Sequence, residues 1–349
     1  MNMPGDAGNA WLYLKTIAIA FGLSFSVMPL VHMLAMRMRW LDTPGSDVKT
    51  HTVATPALGG IGIWIGFAGA LVAARFLTNF PTGTLFRLRA ILAGGAFVFL
   101  LGVVDDLRKP MGLDWKTKMF VQALAAVVLI SFEIELRFIN PHYIAVMLTV
   151  IWVVGICNAF NIIDIIDGLA ASQGVVAALG FLLIAMPSED VYVNFAAAAM
   201  VGAAGGFLPW NFSSKRKMFM GDSGSLLLGF VLAALAMGID YTQVNPLGVF
   251  APLFILAIPM FDTFYVMFIR LKKGLSPFRG SLDHFALRLE RLGYSRLQIV
   301  ALCIVASAFL SVCALLVTLV STPWAIWIYF VVGSFTLTLA WAITKVEMG

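Results

Sequence analysis

The chain has 349 residues, of which 61% are hydrophobic and only 12% charged, with Lys and Arg outnumbering Asp and Glu 23 to 18. A soluble domain carries about 25% charge, so this composition excludes a water-soluble globule, and so much apolar sequence excludes disorder. Three cysteines and no glycine period exclude a disulfide scaffold or a collagen-like repeat, which leaves an all-α polytopic integral membrane protein.

A helix crossing the hydrocarbon needs about 20 apolar residues. Apolar runs between charged or Pro, Gly and Asn breaks predict eleven transmembrane helices, over 10–35, 58–77, 89–104, 119–132, 143–157, 169–186, 191–208, 224–239, 247–269, 297–320 and 323–344. The fourth, fifth and eighth are short, the mark of merged or broken helices, which makes ten the rival count. No soluble domain fits in the loops that remain.

The first run follows Asp6 rather than a basic stretch and is too long for a signal peptide, so it reads as a retained span. With the N-terminus placed outside, the inner segments hold 18 of the 23 Lys and Arg, the bias expected of a chain whose C-terminus is cytoplasmic. The net charge of +5 follows from this bias and calls for no nucleic acid. Trp11, Trp324 and Trp327 fall at span ends as interfacial belt residues, and Cys157, Cys303 and Cys313 lie in or beside apolar spans as packing residues. Gly62, Gly66 and Gly69, about a turn apart, predict close helix packing on the second span.

Scarce polar residues gather at four places on the predicted inner side. Asp105 and Asp106 end the third span, with Lys116, Lys118 and Gln122 just beyond; two adjacent carboxylates repel, and a shared cation or proton is an economical reason to keep them together. Asn158, Asn161, Asp164 and Asp167 then repeat at i, i+3, drawing a spiralling polar stripe if the segment is helical. Its amides and carboxylates, without Lys or Glu, suit a hydrated metal ion or a sugar.

The third place is Gly221-Asp222-Ser223-Gly224-Ser225, after the basic run Lys215 to Lys217 and directly before an apolar run. Glycines leading into a helix N-terminus tolerate an anion, and an Asp there can hold Mg²⁺ against phosphates. The same letters occur around protease nucleophiles, but no hydrolase elbow or Ser, His and Asp set accompanies them. The fourth place, Arg270 to Arg296, holds seven basic and two acidic residues. Within it, Ser281 to Leu289 predicts a short amphipathic helix with His284 and Arg288 one turn apart, placed to clamp a phosphate. Asp262, inside the ninth span, is a functional candidate because an intramembrane carboxylate is costly.

In this order the segments resemble the polyprenyl-phosphate N-acetylhexosamine-1-phosphate transferase family, glycosyltransferase family 4. The resemblance runs over most of the chain: Lys49, His51 and Pro56 to Gly60, then Asp105-Asp106, Lys118 and Gln122, Asn158 to Leu169, Gly221 to Ser225, Pro259 to Asp262 with Arg270, and the His284 segment. Two positions depart from the family pattern. Ile165 stands where a glycine usually follows the first Asp of the stripe, and Leu287 where a second His often precedes the Arg. The single His places the chain nearer the WecA-like branch than the MraY-like one.

The resemblance implies one catalytic domain over residues 1–349 in the bacterial inner (plasma) membrane, with its site on the cytoplasmic face. The reaction it implies is attack of undecaprenyl or another polyprenyl phosphate on a UDP-N-acetylhexosamine, most simply UDP-GlcNAc, with release of UMP. Asp222 is then the Mg²⁺ ligand, with Mn²⁺ as a substitute ion. Asp105 and Asp106 position the lipid phosphate or take its proton, and Asp164 and Asp167 join them as catalytic carboxylates that hold metal water, nucleotide or sugar. Lys49, Lys118, Asn158, Asn161, His284 and Arg288 bind substrate. The partners are the nucleotide sugar, the lipid phosphate and the membrane, and a homodimer is allowed. A rival reading of another class, an ion-coupled secondary transporter using Asp164, Asp167 and Asp262, predicts carboxylates near the bilayer midplane.

Overall fold

A computed structural model of the protein describes residues 6–44, 53–109, 111–187, 190–276 and 281–346. The described residues form α1 (Asp6–Met38), β1 (Leu41–Asp42), β2 (Thr55–Pro56), α2 (Gly59–Leu77), α3 (Thr84–Leu107), α4 (Trp115–Ser131), α5 (His142–Ile163), α6 (Leu169–Ala185), α7 (Val191–Asn211) and α8 (Gly221–Met237). A 3₁₀ turn (Pro246–Phe250) then leads into α9 (Ala251–Ile255), α10 (Ala257–Lys272), α11 (Phe285–Arg291), α12 (Arg296–Leu319) and α13 (Thr322–Thr344). The two short strands pair antiparallel, Leu41 with Pro56 and Asp42 with Thr55.

The molecule is an all-helical polytopic membrane protein. Every predicted span falls on a helical element, but among the described residues seven helices are long and apolar enough to cross a bilayer, and eight if Pro246–Ile255 and Ala257–Lys272, bent by 74°, form one broken span. The helices α4, α6 and α8 have 17 residues each. The fifth span is not short: α5 runs 22 residues, because Asn158 and Asn161 continue the helix to Ile163 instead of ending it.

The Ala- and Gly-rich α7 is the buried centre, packed by α1, α2 and α6. A Cβ on Gly202 would lie 2.2 Å from the Ile17 carbonyl oxygen, so α1 lies against α7 backbone to backbone. Gly66 does the same for α2, where a Cβ would meet the Ala20 carbonyl, and Gly62 leaves room for the Met28 side chain. At the far side α13 is almost wholly outward-facing, with Trp324, Phe330 and Trp341 exposed. Such a gradient, small residues inside and large apolar ones outside, is the inverse of a soluble core and suits a lipid solvent.

Candidate active site

The C-terminal end of α3 and the N-terminal end of α8 build the centre of the site. A Cβ on Gly102 would lie 2.3 Å from Ser223 Cα, so only glycine lets the two backbones meet there. One turn later Asp106 accepts the backbone N–H groups of Asp222 (2.9 Å) and Ser223 (3.0 Å). The carboxylate thereby satisfies donors that a helix N-terminus leaves open and complements its dipole. Gly221, at φ 73°, turns the chain into α8 beside the Ala57 carbonyl. Segment 56–60 is bonded along Phe219 and Met220, which brings the α1–α2 connection to the same place.

Asp105 Oδ1 accepts the Leu113 N–H at 2.6 Å and pairs with Lys118 Nζ at 3.0 Å. Lys118 Nζ also donates to Asp222 Oδ2 at 2.6 Å, while Lys109 Nζ lies 2.8 Å from Asp106 Oδ1 and 3.7 Å from Asp222 Oδ1. Burial works against charge on Lys109, but the carboxylates of Asp106 and Asp222 outweigh it and hold the ammonium above the ordinary lysine range. Asp105, Asp106 and Asp222 each offer one carboxylate oxygen within 4.8 Å of the others. An all-oxygen, all-carboxylate set of this size fits a hard divalent cation.

The polar stripe is helical only in its first half. Asn158 and Asn161 lie on α5, which ends at Ile163; Asp164 caps it, and Gly168 at φ 77° starts α6, so Asp164 and Asp167 belong to the turn between the two helices. Asn158 donates to Gln122 Oε1 and the Val154 carbonyl, both at 2.7 Å, and Asn161 donates to Ser225 Oγ at 3.0 Å. Asn211 fixes the turn by accepting the Gly168 N–H at 2.5 Å and donating to the Met218 carbonyl at 2.9 Å. Asp167 pairs with Lys217 at 2.5 Å. Burial, opposed by the charge of Lys109 and aided by those of Asp222 and Asp167, pushes the Asp164 carboxyl up to about 7.

A cavity of about 1110 Å³ gathers these groups: Lys109, Lys118, Asn158, Asn161, Asp164, Asp167, Lys217, Asp222 and His284 line it, with Asp105 and Asp106 buried behind. Its other half is apolar, a furrow lined by Met119 and Phe120 of α4, Val150 and Ile151 of α5, and Val266 and Met267 of α10. Phe120 and Ile151 are exposed on the outer surface, so this half reaches the lipid-facing side. Ile165 and Leu287, the two departures from the family pattern, both line the cavity.

The last segment differs from its expected shape. Only Phe285–Arg291 is helical, and His284 precedes it with its ring nitrogen Nδ1 2.7 Å from Asp262 Oδ2. Arg288 does not line the cavity; it is buried, pairing with Asp283 at 3.2 Å and donating to the Val346 carbonyl. His284 and Arg288 therefore do not form a phosphate clamp in this geometry. Asp164 and Asp167 sit at the end of the bundle rather than half-way along it, which is not the arrangement a midplane coupling path requires. Lys49 and His51 lie outside the described residues.

Two cavity lysines escaped sequence reasoning. Lys109 was legible in principle, since it follows Asp106 by three residues at a helix end. Lys217 was not, because its partner Asp167 is 50 residues away and its neighbours Lys215 and Arg216 made it look like part of a topology signal.

The sequence profile of glycosyl transferase family 4 matches residues 88–240. A probable undecaprenyl-phosphate N-acetylglucosaminyl 1-phosphate transferase of Bacillus subtilis is 30% identical over 296 residues, covering 81% of this chain and 79% of its own. A decaprenyl-phosphate N-acetylglucosaminephosphotransferase of Mycobacterium tuberculosis is 32% identical, covering 77% and 74%. A phospho-N-acetylmuramoyl-pentapeptide-transferase of Desulforudis audaxviator is 31% identical but spans a smaller part, 64%, of this chain.

Proposed function

The chain belongs to glycosyl transferase family 4, and from that premise we propose that it transfers N-acetylglucosamine 1-phosphate from UDP-GlcNAc to a polyprenyl phosphate such as undecaprenyl phosphate. The products are UMP and a polyprenyl diphosphate sugar, a first membrane step of bacterial envelope glycan synthesis. The observation that carries this reading is the two-part cavity, polar and rich in carboxylates and lysines at one end, apolar and open to the lipid side at the other. A water-soluble sugar nucleotide and a lipid phosphate need that combination.

An oxygen of the lipid phosphate attacks the sugar-bound phosphorus; the bond from that phosphorus to the bridging oxygen breaks, and UMP leaves with the electron pair. Phosphoryl transfer needs little covalent help from the protein but much positioning and charge compensation. In this reading the diphosphate lies against Lys118 and Lys109, which pair with Asp222 on the cavity wall and provide two fixed ammoniums for the charge its oxygens gain. Asp105, Asp106 and Asp222 would hold Mg²⁺, or Mn²⁺ in its place, which supplies further positive charge to phosphate oxygens when bound. The lipid phosphate has a second pKa of about 6, so at pH 7 it is mostly ionised and a nearby carboxylate suffices to take the last proton. Asp164, Asp167, Asn158 and Asn161 form the wall that offers acceptors to sugar hydroxyls or nucleotide. The apolar furrow takes the first isoprene units of the lipid.

In this reading α4, α6 and α8 also cross the bilayer, for a total of eleven spans, with the N-terminus outside and the site on the cytoplasmic face. The support is the distribution of Lys and Arg, 18 of 23 on the side of the site. Purified protein in detergent, given Mg²⁺, undecaprenyl phosphate and a panel of UDP-sugars, is expected to release UMP with UDP-GlcNAc. No UMP with any sugar nucleotide overturns the proposal, and UMP with a different N-acetylhexosamine corrects only the sugar.

A further inference from the structure

One buried pair beside the cavity has no part in the chemistry just described. Asp262 is fully buried on α10, in a span where an unpaired carboxylate would be expensive. Its Oδ2 lies 2.7 Å from Nδ1 of His284, and its Oδ1 accepts the Phe285 N–H at 3.2 Å. One carboxylate thus grips both the ring and the backbone at the start of α11. His284 lines the cavity, and its other ring nitrogen, Nε2, has no hydrogen-bond partner among the described residues, so Nε2 is the atom offered to a ligand. Leu287, one turn on, presents only an apolar surface, and Arg288 is committed to Asp283. Among the described residues His284 is the one imidazole on the cavity wall.

We infer that Asp262 is a positioning residue for the transfer: it fixes the His284 ring through Nδ1 and so aims Nε2 at the bound substrate. The logic is that of any carboxylate behind an imidazole, which selects the tautomer carrying its proton on the nitrogen it faces and fixes the orientation of the ring. Other groups around the ring do not compete for that role. Asp283 is held by Lys273 and Arg288, Arg288 lies over Tyr265, Arg296 pairs with Glu290, and Cys303 contributes an uncharged thiol from α12. The transporter reading gave Asp262 a coupling path; the geometry gives it a histidine instead.

The inference rests on the proposed transferase reaction, and its test separates the two. Activity as kcat/KM across pH is measured for wild type, Asp262→Asn, His284→Gln and the double variant, with thermal unfolding in detergent as the check of folding. Asn at 262 keeps an oxygen for the Phe285 N–H but removes the negative charge. In Asp262→Asn kcat/KM is expected to fall by about 10–100-fold, the usual effect of removing a partner that orients a functional histidine. In the His284→Gln background the same change is expected to add less than about twofold, because positioning through a missing ring has nothing to position. Losses that multiply in the double variant overturn the inference.

A second readout does not depend on turnover. The chain has four histidines, so ¹⁵N-histidine spectra of wild type and His284→Gln assign the His284 signal by difference. A ring protonated at Nδ1 in wild type and at Nε2 in Asp262→Asn supports the pairing even if no UDP-sugar proves to be a substrate. A wild-type ring that carries its proton on Nε2 alone overturns it, even in a fully active enzyme. If Asp262→Asn does not accumulate folded, the wild-type spectrum alone decides.

Discussion

Two groups of carboxylates border the same cavity, both largely buried, and they are built in opposite ways. Asp105, Asp106 and Asp222 come from two helices that meet through Gly102, and their cations, Lys109 and Lys118, stand on the cavity wall. Asp262 and Asp283 lie behind the wall, and their partners His284, Lys273 and Arg288 are drawn in toward them. The first group keeps charge facing a ligand; the second holds in place the segment that carries His284, a partner that stands on the cavity wall. Burial alone does not distinguish the two, since what matters is whether the carboxylates meet the cavity with their cations or act through the groups they hold.

The sharpest way to break this contrast is Asp222→Asn. It is expected to lower the rate of UMP release by about 10²–10³-fold, as for removal of one preorganised electrostatic group, while thermal stability changes little. A near-normal rate would move the metal and diphosphate site elsewhere. Lys118→Met is expected to follow at about 10²-fold, the smaller loss reflecting the remaining Lys109.

Asp283→Asn should show the opposite signature, a loss of stability before a loss of chemistry. It strips a buried Arg288 of its carboxylate, a change that costs about 3–5 kcal/mol when a buried pair is broken. Although Asp283 is mostly buried, Lys273, Ser281 and Arg288 overcome the desolvation and hold its carboxyl below the usual range. Its contribution is present above the unfolded pKa of about 4 and lost as pH falls through the depressed folded value. Melting of wild type and Asp283→Asn in detergent is therefore expected to converge toward pH 3.

The joint that builds the first group can be attacked without touching a charge. Gly102→Ala puts a Cβ 2.3 Å from Ser223 Cα, where backbone must give way, and overpacking of this kind costs about 1–3 kcal/mol. Loss of activity larger than the loss of stability would show that Asp106 has slipped from the α8 N-terminus. The smallest effect is expected at Asp164. Its folded pKa of about 7 lies above the unfolded value, so the folded protein binds more protons between about pH 4 and 7 and stability falls as pH rises through that window. Asp164→Asn should flatten that fall in metal-free melting curves.

Much of this was legible without coordinates. The membrane class and the helical character of the apolar runs were legible, because a bilayer demands long uninterrupted apolar helices and punishes stray charge; the count of eleven spans was not, since among the described residues seven helices, or eight with the bent pair, are long and apolar enough to cross. Asp105, Asp106, Lys118, Asp222 and the stripe residues stood out for the same reason: in a chain with 12% charge, a carboxylate inside or beside a span needs a purpose. The errors lay where one period was carried too far. Asn158 to Asp167 looked like one helical stripe, yet Gly168 and Asn211 turn the chain after Ile163. His284 and Arg288 looked like a clamp from their spacing, yet Asp283 is near enough to take the arginine.

What the sequence determined by itself was the solvent of the fold and the identity of the charged residues, both set by local free energies of placing polar groups in or near hydrocarbon. What only the tertiary structure decided was which charge faces which. Lys118 meets Asp222 across 104 residues, Lys217 meets Asp167 across 50, and Asp262 meets His284 across 22. Those pairings depend on how closely helices approach through glycines such as Gly102, a distance of packing rather than of chain, and pairing is what turns scattered carboxylates into a site.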